Sequence, residues 1–390
     1  MLLVPDGMAD DPVLELGGRT PLEAASTPTL DRLARHGEVG SVQVTPPGMY
    51  PGSDAANMAL MGYDPREYYT GRGPVEAAAM GVAVGARDVA FRCSIVTTDG
   101  ERLTDYCAGH ITTPEAHALL EHAASRIGEP RMRFCPGVSY RHVIVVQDGS
   151  DAVTTHEPHE NMGRPIREML PAGADEALLR RLILSSLELL SDHPVNVVRR
   201  ERGLPPGNLL WPWGQGRTPV LPPFKVLHGV TGAVVAGVDV VKGLGMLAGL
   251  EVLDVPGVTG DFDNDYVAQG TAAAEALRGH DFVLVHVEAP DEAGHVGSIA
   301  EKVRALESVD SLLLEALLKG LRGVDFRLLV VPDHATPVAT RGHRAGWMPY
   351  LLYGSDETQA SGMPFHERAA MASPHRVEEG RQLIGRLLRG

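Results

Sequence analysis

The chain has 390 residues, 44% of them hydrophobic, and carries 50 acidic against 35 basic side chains for a formal net charge of −15. That length supports a large core and more than one domain, and 22% charged residues are too few for a disordered chain. The negative balance argues against broad nucleic-acid or anionic-membrane binding, which needs clustered Lys and Arg.

Cys93, Cys107 and Cys135 form no C-x-x-C pair, so they read as reduced thiols of a cytoplasmic protein and not as a zinc-thiolate site. No uninterrupted apolar run approaches ~20 residues, and no membrane span is expected. Only Leu2 to Val4 separate the start from Pro5-Asp6, and no secretory signal is expected.

Leu2 to Val4 predict a short buried strand ending at Asp6-Gly7. Thr27-Pro28 opens a helix that Gly37 stops, with Thr27 at the N-cap. The Pro/Gly-rich stretch from Thr45 to Gly52 predicts a loop, and the Ala/Met-rich run after it a helix. Ser53 falls at their junction. Free amides and the helix dipole favour negative charge at that point, whether an alkoxide or a phosphate ester.

From residue 65 to 190 the texture changes. Val89–Thr98 alternates and ends in Asp99-Gly100, a strand and hairpin signal, and Tyr140–Val146 closed by Asp148-Gly149 repeats it. With helices predicted at 117–127 and 176–190, this is an α+β unit inserted into the main fold. It is rich in anion contacts: Arg72, Arg92, His110, Arg141, His142, His159 and Arg164.

Leu209 to Arg217 reads as a structural loop with buried aromatics. Ala233–Ala236 and Leu250–Val255 read as strands, and the segment 238–249 between them as helical. Its Gly243-x-Gly245 spacing is a weak match to a dinucleotide loop, lacking a suitably placed ribose-binding acid. Val303, Leu306, Val309, Leu312, Leu313 and Leu317 form a helical core stripe, and 377–388 a closing helix.

Two further apolar runs carry the chemistry. Phe282 to Val285 stops at His286, and Asp291 and His295 follow four apart, on one face of a helix beginning after Pro290. Arg327 to Val331 ends in Asp333 and His334, with His343 nine residues on. Ligands delivered at the carboxyl ends of strands are the usual way an α/β sheet builds a site.

Asp6, Asp291, His295, Asp333, His334 and His343 offer only carboxylates and imidazoles, a set suited to manganese or zinc, with magnesium an alternative. They are more than one ion needs. Two ions clamping a phosphoryl group fit the number, and a serine oxygen beside a divalent ion becomes a nucleophile without a histidine partner.

These stretches resemble the cofactor-independent phosphoglycerate mutases, in particular the archaeal-type group of the alkaline phosphatase superfamily. The resemblance runs through Val4–Asp10, Pro51–Asn57, Gly71–Pro74, Gly137–His142, Trp213–Gly216, His286–His295 and Pro332–His334. It implies a doubly wound α/β phosphatase-like sheet between helices, formed by residues 1–64 and 191–390, with 65–190 as a smaller α+β insert covering the substrate.

It further implies that Ser53 accepts the phosphoryl group. Asp6, Ser53, Asp333 and His334 would hold one ion; Asp291, His295 and His343 would hold the other. Mn2+ comes first, with Zn2+, Co2+ and Mg2+ as alternatives. Arg72, Arg92, His110, Arg141, His142 and Lys242 would grip a small phosphorylated hydroxy acid, and the oligomeric state stays open.

The implied reaction interconverts 3-phosphoglycerate and 2-phosphoglycerate through phosphoserine, without 2,3-bisphosphoglycerate. Two alternatives stay open. Asp105 to Ile111 looks like a bacterial branch proposed to act as homoserine kinase, and a metal-dependent phosphatase or phosphonate hydrolase would use the same ligands. Glu157-Pro-His-Glu160 departs from the expected Pro-Pro-His-Asp.

Overall fold

A computed structural model describes residues 1–356 and 360–388. In chain order the strands are β1 (Leu2–Pro5), β2 (Glu38–Gln43), β3 (Val89–Thr98), β4 (Leu103–Asp105), β5 (Met132–Cys135), β6 (Arg141–Val146), β7 (Val153–Thr154) and β8 (Ala172–Gly173). They continue with β9 (Leu209–Gly216), β10 (Gly232–Ala236), β11 (Glu251–Val252), β12 (Phe282–Val287), β13 (Arg327–Val330), β14 (Trp347–Gly354) and β15 (Arg376–Val377). The chain divides into two units, Met1–Tyr69 with Val220–Gly390, and Thr70–Pro219.

The first unit is an eight-stranded sheet in the order β11-β10-β12-β1-β13-β14-β2-β15. Its middle is parallel: β10, β12, β1 and β13 are neighbours, and all four runs are buried almost throughout. Strands covered by helices on both faces read as continuous apolar runs, as these do. β14 runs antiparallel between β13 and β2.

Register then positions the chemistry. Val4 lies opposite His286, and Leu3 opposite both Val285 and Val330. The residues that follow β1, β12 and β13 therefore leave the sheet at one edge.

Beneath them Leu3, Val235, Val285 and Val330 pack with Ala273, Leu306 and Leu313 in one core. Each such fully buried Val or Leu contributes about 1.5–3 kcal/mol.

The second unit is antiparallel: β4-β3-β6-β5, with β9 on the other side of β3. Helices Thr113–Ile127 and Glu176–Leu190 share its core. The unit ends at Pro219, not at 190, because the following chain is built into it.

Leu209 to Gly216, expected as a loop, is strand β9, paired along Ile95↔Leu210 and Arg92↔Trp213. Arg199, on helix Pro194–Glu201, is buried with its guanidinium on Glu115 at 2.8 Å, Pro205 O at 2.9 Å and Ala108 O at 2.6 Å.

Other expectations need correction. Thr27 makes no side-chain cap; the buried carboxylate of Asp310 accepts from Thr29 N at 3.1 Å and Leu30 N at 2.6 Å, capping helix Pro28–His36 from 280 residues away. Asp310 lies on a π-helical turn, Val309–Leu314, which shifts the helical phase and leaves Leu312 exposed while Leu313 and Leu317 stay buried.

The strand expected at 250–255 shrinks to Glu251–Val252. The closing helix is confined to Leu383–Leu388, preceded by β15 and a 3₁₀ turn. Gly245 serves packing: a Cβ there would stand 2.6 Å from Val234 Cγ2.

A buried ion pair braces the sheet edge. Lys302 Nζ lies 2.8 Å from Asp10 Oδ2, both side chains fully buried, and donates to Thr336 O at 2.7 Å. Asp10 also accepts from Val338 N, and its own N–H donates to Glu367 Oε1. One cluster thus ties the loop after β1, the loop after β13 and helix Ile299–Ser308 together.

We expect Lys302→Met to cost about 3–5 kcal/mol in denaturant melts, because it strands Asp10 in a dry site; a loss within error of zero would contradict this. Burial pushes Glu367 up to about 7 from 4.5. The folded state therefore keeps a proton that the unfolded chain loses, and this term weakens stability as pH rises from 4.5 to 7. Glu367→Gln should flatten the pH dependence of stability in that window.

Candidate metal centre

Asp6 follows the central strand β1 directly, and Gly7 lets it turn. Gly7 has φ +59°, and a Cβ there would stand 2.5 Å from Asp291 Oδ1, so only glycine fits between these loops. Asp333 and His334 follow β13 by the same logic. Gly7 N and His334 N both donate to Asp333 Oδ1, at 3.3 and 2.9 Å. Asn57 donates to Asp333 Oδ2 at 3.1 Å.

Ser53 is the first residue of helix Ser53–Leu60, with Gly52 at the N-cap. Its Oγ lies 3.2 Å from His334 Nε2, which is also 3.2 Å from Asp6 Oδ1 and 3.6 Å from Asp333 Oδ2. These four expected residues converge.

The other three converge beside them. Asp291 and His295 share a face of helix Ala289–Val296, with His295 Nε2 3.1 Å from Asp291 Oδ2. His343 Nε2 lies 3.6 Å from Asp291 Oδ1 and 3.0 Å from His295 Nε2.

The residues around the donors fix their orientation. The Arg341 carbonyl can only accept, so His295 Nδ1 donates to it at 2.9 Å and turns the Nε2 lone pair inward. Thr336 donates to Asp291 Oδ1 and lies 3.2 Å from His334 Nδ1. Tyr50 OH lies 3.3 Å from His343 Nδ1. Asn57, Thr336 and Tyr50 are roles that spacing in the sequence does not reveal, because each acts on another side chain across the fold.

The donor set fits a divalent cation on two grounds. Asp6 is fully buried, yet neither of its oxygens has a hydrogen bond among the described residues, a state that leaves a charge uncompensated unless a cation supplies the partner. The second ground is convergence. Asp6, Asp333 and His334 form one group with ligand atoms within 4.8 Å of one another, and Asp291, His295 and His343 form a second.

Without a cation the groups hold protons instead. Burial, with Asp333, Asp291 and Glu288 adding repulsion, raises Asp6 well above the usual carboxylate range. Burial alone would raise Asp291 and lower His295, but their attraction wins. Asp291 sits well below its ordinary value, and His295 rises to about 10. Burial lowers His334 to about 4.

Lys242 is half-buried on helix Asp239–Leu247, which follows β10 at the same sheet edge. The remaining expected contacts lie in the second unit. Arg72 Nε meets Glu76 Oε1 at 2.7 Å, and Arg92 pairs with the same oxygen. Burial alone would raise Glu76, but Arg92 and Arg72 hold it below its usual range.

Arg72 and Arg92 lie 5.5 and 5.3 Å from the Trp213 ring centroid, and Arg141 lies 4.8 Å from that of Tyr140. Trp213 is thus a platform for cations and more than loop packing.

His142 differs from expectation. It is fully buried, burial lowers it to about 3, and its Nδ1 accepts from Gly137 N, so it holds a loop and presents no charge. His110 is exposed in a left-handed turn with Ala108 and Gly109. Arg164 binds Asn161, and the His159 ring lies 5.5 Å from Trp213. Among the described residues no helix is long and apolar enough to cross a membrane, and Cys93, Cys107 and Cys135 are free and buried.

Fold and donors together define an α/β protein with paired carboxylate–imidazole centres and a serine at a helix N-terminus beside them. Residues 34–196 match the family model described as 2,3-bisphosphoglycerate-independent phosphoglycerate mutase.

Over its whole length the chain is 44% identical to the protein of that name from Methanosarcina barkeri, covering 98% of it. It is 48% identical, over 91% of this chain and 88% of the relative, to 2,3-bisphosphoglycerate-independent phosphoglycerate mutase 2 of Methanothermobacter thermautotrophicus. The cofactor-independent phosphoglycerate mutase of Thermoplasma acidophilum superposes over 100% of this chain and 98% of its own, with TM-score 0.62 at 29% identity. A Pyrococcus horikoshii protein superposes over 100% and 96%, with TM-score 0.80 at 28% identity. The chain belongs to the family of 2,3-bisphosphoglycerate-independent phosphoglycerate mutases.

Because His295 is raised to about 10 and Asp6 is raised as well, a cation binding at pH 7 must displace protons. Adding Mn2+ to metal-free protein in weak buffer should release on the order of one to two protons per chain. Asp291→Asn, which removes the partner that holds the His295 proton, should lower that release. Binding without proton release would contradict the assignment.

Proposed function

We propose that the protein interconverts 3-phosphoglycerate and 2-phosphoglycerate without 2,3-bisphosphoglycerate. Family membership over the whole chain supports the reaction. The observation that carries the mechanism is Ser53: buried, first in its helix, with Oγ 3.2 Å from His334 Nε2.

Asp6, Ser53, Asp333 and His334 would hold one divalent ion and Asp291, His295 and His343 the other; Mn2+ is the first choice for a set of carboxylates and imidazoles. When bound, such ions draw negative charge off phosphoryl oxygens and lower the pKa of a coordinated hydroxyl.

Ser53 gives up its proton, and its Oγ bonds to phosphorus as the P–O bond to the glycerate C3 oxygen breaks; that departing oxygen takes up a proton. The glycerate then reorients. Its C2 hydroxyl loses a proton and takes the phosphoryl group, restoring Ser53. The first turn of helix Ser53–Leu60 places backbone amides beside the transferring group, and its dipole favours the added charge.

Asn57 keeps that turn in place: its Nδ2 donates both to Ser53 O at 2.8 Å and to Asp333. Arg72, Arg92 and Arg141 are proposed contacts for the substrate's anionic groups in the second unit, and Lys242 in the first. The three buried thiols suit a reducing, cytoplasmic setting.

With Mn2+ and 3-phosphoglycerate the full-length protein should yield 2-phosphoglycerate, read through enolase, and Ser53→Ala should lower kcat by about a thousandfold or more. Acid-quenched protein should carry the phosphoryl group on Ser53 in the mass spectrum. Release of free phosphate without isomerisation would overturn the mutase reading and leave a phosphatase.

A further inference from the structure

The two donor groups meet at one hydroxyl. Thr336, two residues past His334, is fully buried; its Oγ1 donates to Asp291 Oδ1 and lies 3.2 Å from His334 Nδ1. Asp291 belongs to one donor group and His334 to the other. His334 Nδ1 and Asp291 Oδ1 themselves stand 4.0 Å apart, too far for a hydrogen bond. The hydroxyl fills that gap.

The direction of both bonds follows from their protons. A hydroxyl has one hydrogen to give, and Thr336 gives it to Asp291. Toward His334 it can then only accept, which puts the His334 proton on Nδ1. The lone pair falls on Nε2, the atom 3.2 Å from both Ser53 Oγ and Asp6 Oδ1. That is the tautomer a ligand at Nε2 requires. His334 also stacks on His343, with ring centroids 3.9 Å apart, but a stack does not decide which nitrogen carries the proton.

The threonine is pinned. Its N–H donates to Ala9 O at 3.3 Å, and its carbonyl accepts from Lys302 at 2.7 Å. Two glycines close on its side chain. A Cβ on Gly7 would stand 2.7 Å from Thr336 Oγ1, and one on Gly294 would stand 2.7 Å from Thr336 Cγ2. Gly294 lies between Asp291 and His295 on their helix, so the donor helix approaches Thr336 as closely as backbone allows.

We infer that, given the paired centres proposed above, Thr336 is a positioning residue that couples them: filling one centre orders the donors of the other. Once Asp291 is fixed by a cation, its carboxylate sets the hydroxyl rotor, and the rotor selects the His334 tautomer. The second binding step then meets a donor already oriented, and the ordering cost falls on the first. This coupling opposes the mutual repulsion of two dications, which weakens the second step.

The test reads binding apart from turnover. Metal-stripped full-length protein is titrated with Mn2+, and free Mn2+ is measured by its electron paramagnetic resonance signal. Thr336→Val keeps the shape and removes the hydroxyl. Its second ion should bind about 10- to 100-fold more weakly, with the first changed far less. Thr336→Ser keeps the hydroxyl and should retain the wild-type isotherm. If thermal melts show the valine variant unfolded, Thr336→Ala takes its place, with Thr336→Ser as the control for the lost methyl.

A wild-type isotherm in the hydroxyl-free variant overturns the coupling. So does an equal weakening of both steps, or a serine variant that binds as the valine one does. Wild type that takes up only about one ion per chain overturns the paired centres themselves, and the link with them.

Discussion

A carboxylate that water does not reach and no hydrogen bond satisfies is expensive to keep charged, and Asp6 is such a group at the centre of the sheet. It is tolerable only where positive charge arrives from outside the chain or a proton stays on. Everything nearby is arranged around that condition. Parallel strands deliver Asp6, Asp333 and the Asp291 helix to one edge, where mutual repulsion would otherwise drive the acids apart. The fold therefore concentrates negative charge in donor groups that fit a cation, and the energy of any cation bound there would become part of the energy of folding.

Such crowding needs a scaffold that does not itself relax. Lys302 and Asp10, both fully buried, are costly as an isolated pair, and their position explains their retention. They join the loops after β1 and β13, which carry Asp6 and Asp333, to the helix packed beneath the sheet. Thr336 belongs to the same network twice over, accepting from Lys302 through its carbonyl and orienting Asp291 and His334 through its hydroxyl. The donors thus sit on rigid strand ends, and their second contacts are set by the core.

Much of this was legible in the sequence because it follows from local pattern. Apolar runs ending at Asp6, His286 and Asp333 predict parallel strands and a shared edge, and the four-residue spacing of Asp291 and His295 predicts a helical face. What was not legible acts across distance. Asp310 caps a helix 280 residues away, and its own π-turn shifts the stripe so that Leu312 leaves the core. Leu209–Gly216, with its Pro and Gly residues, reads as a loop until β3 is present to pair with it. His142 has the composition of an anion contact, but only burial reveals that it is neutral.

The second unit handles charge in the opposite sense from the first. Two guanidiniums, of Arg72 and Arg92, meet one carboxylate, Glu76, and that of Arg141 lies over the Tyr140 ring. Glu76 does more than cancel them: burial makes the Arg92 charge costly and lowers its pKa from the usual value, and the paired carboxylate offsets that cost. Stacking against Trp213 and Tyr140 then fixes the planes of these groups at little further desolvation cost. Rigid, charged and already oriented forks give up little entropy when an anion arrives. The local field of these three arginines opposes a net charge of −15 that is spread over the whole surface and screened by salt.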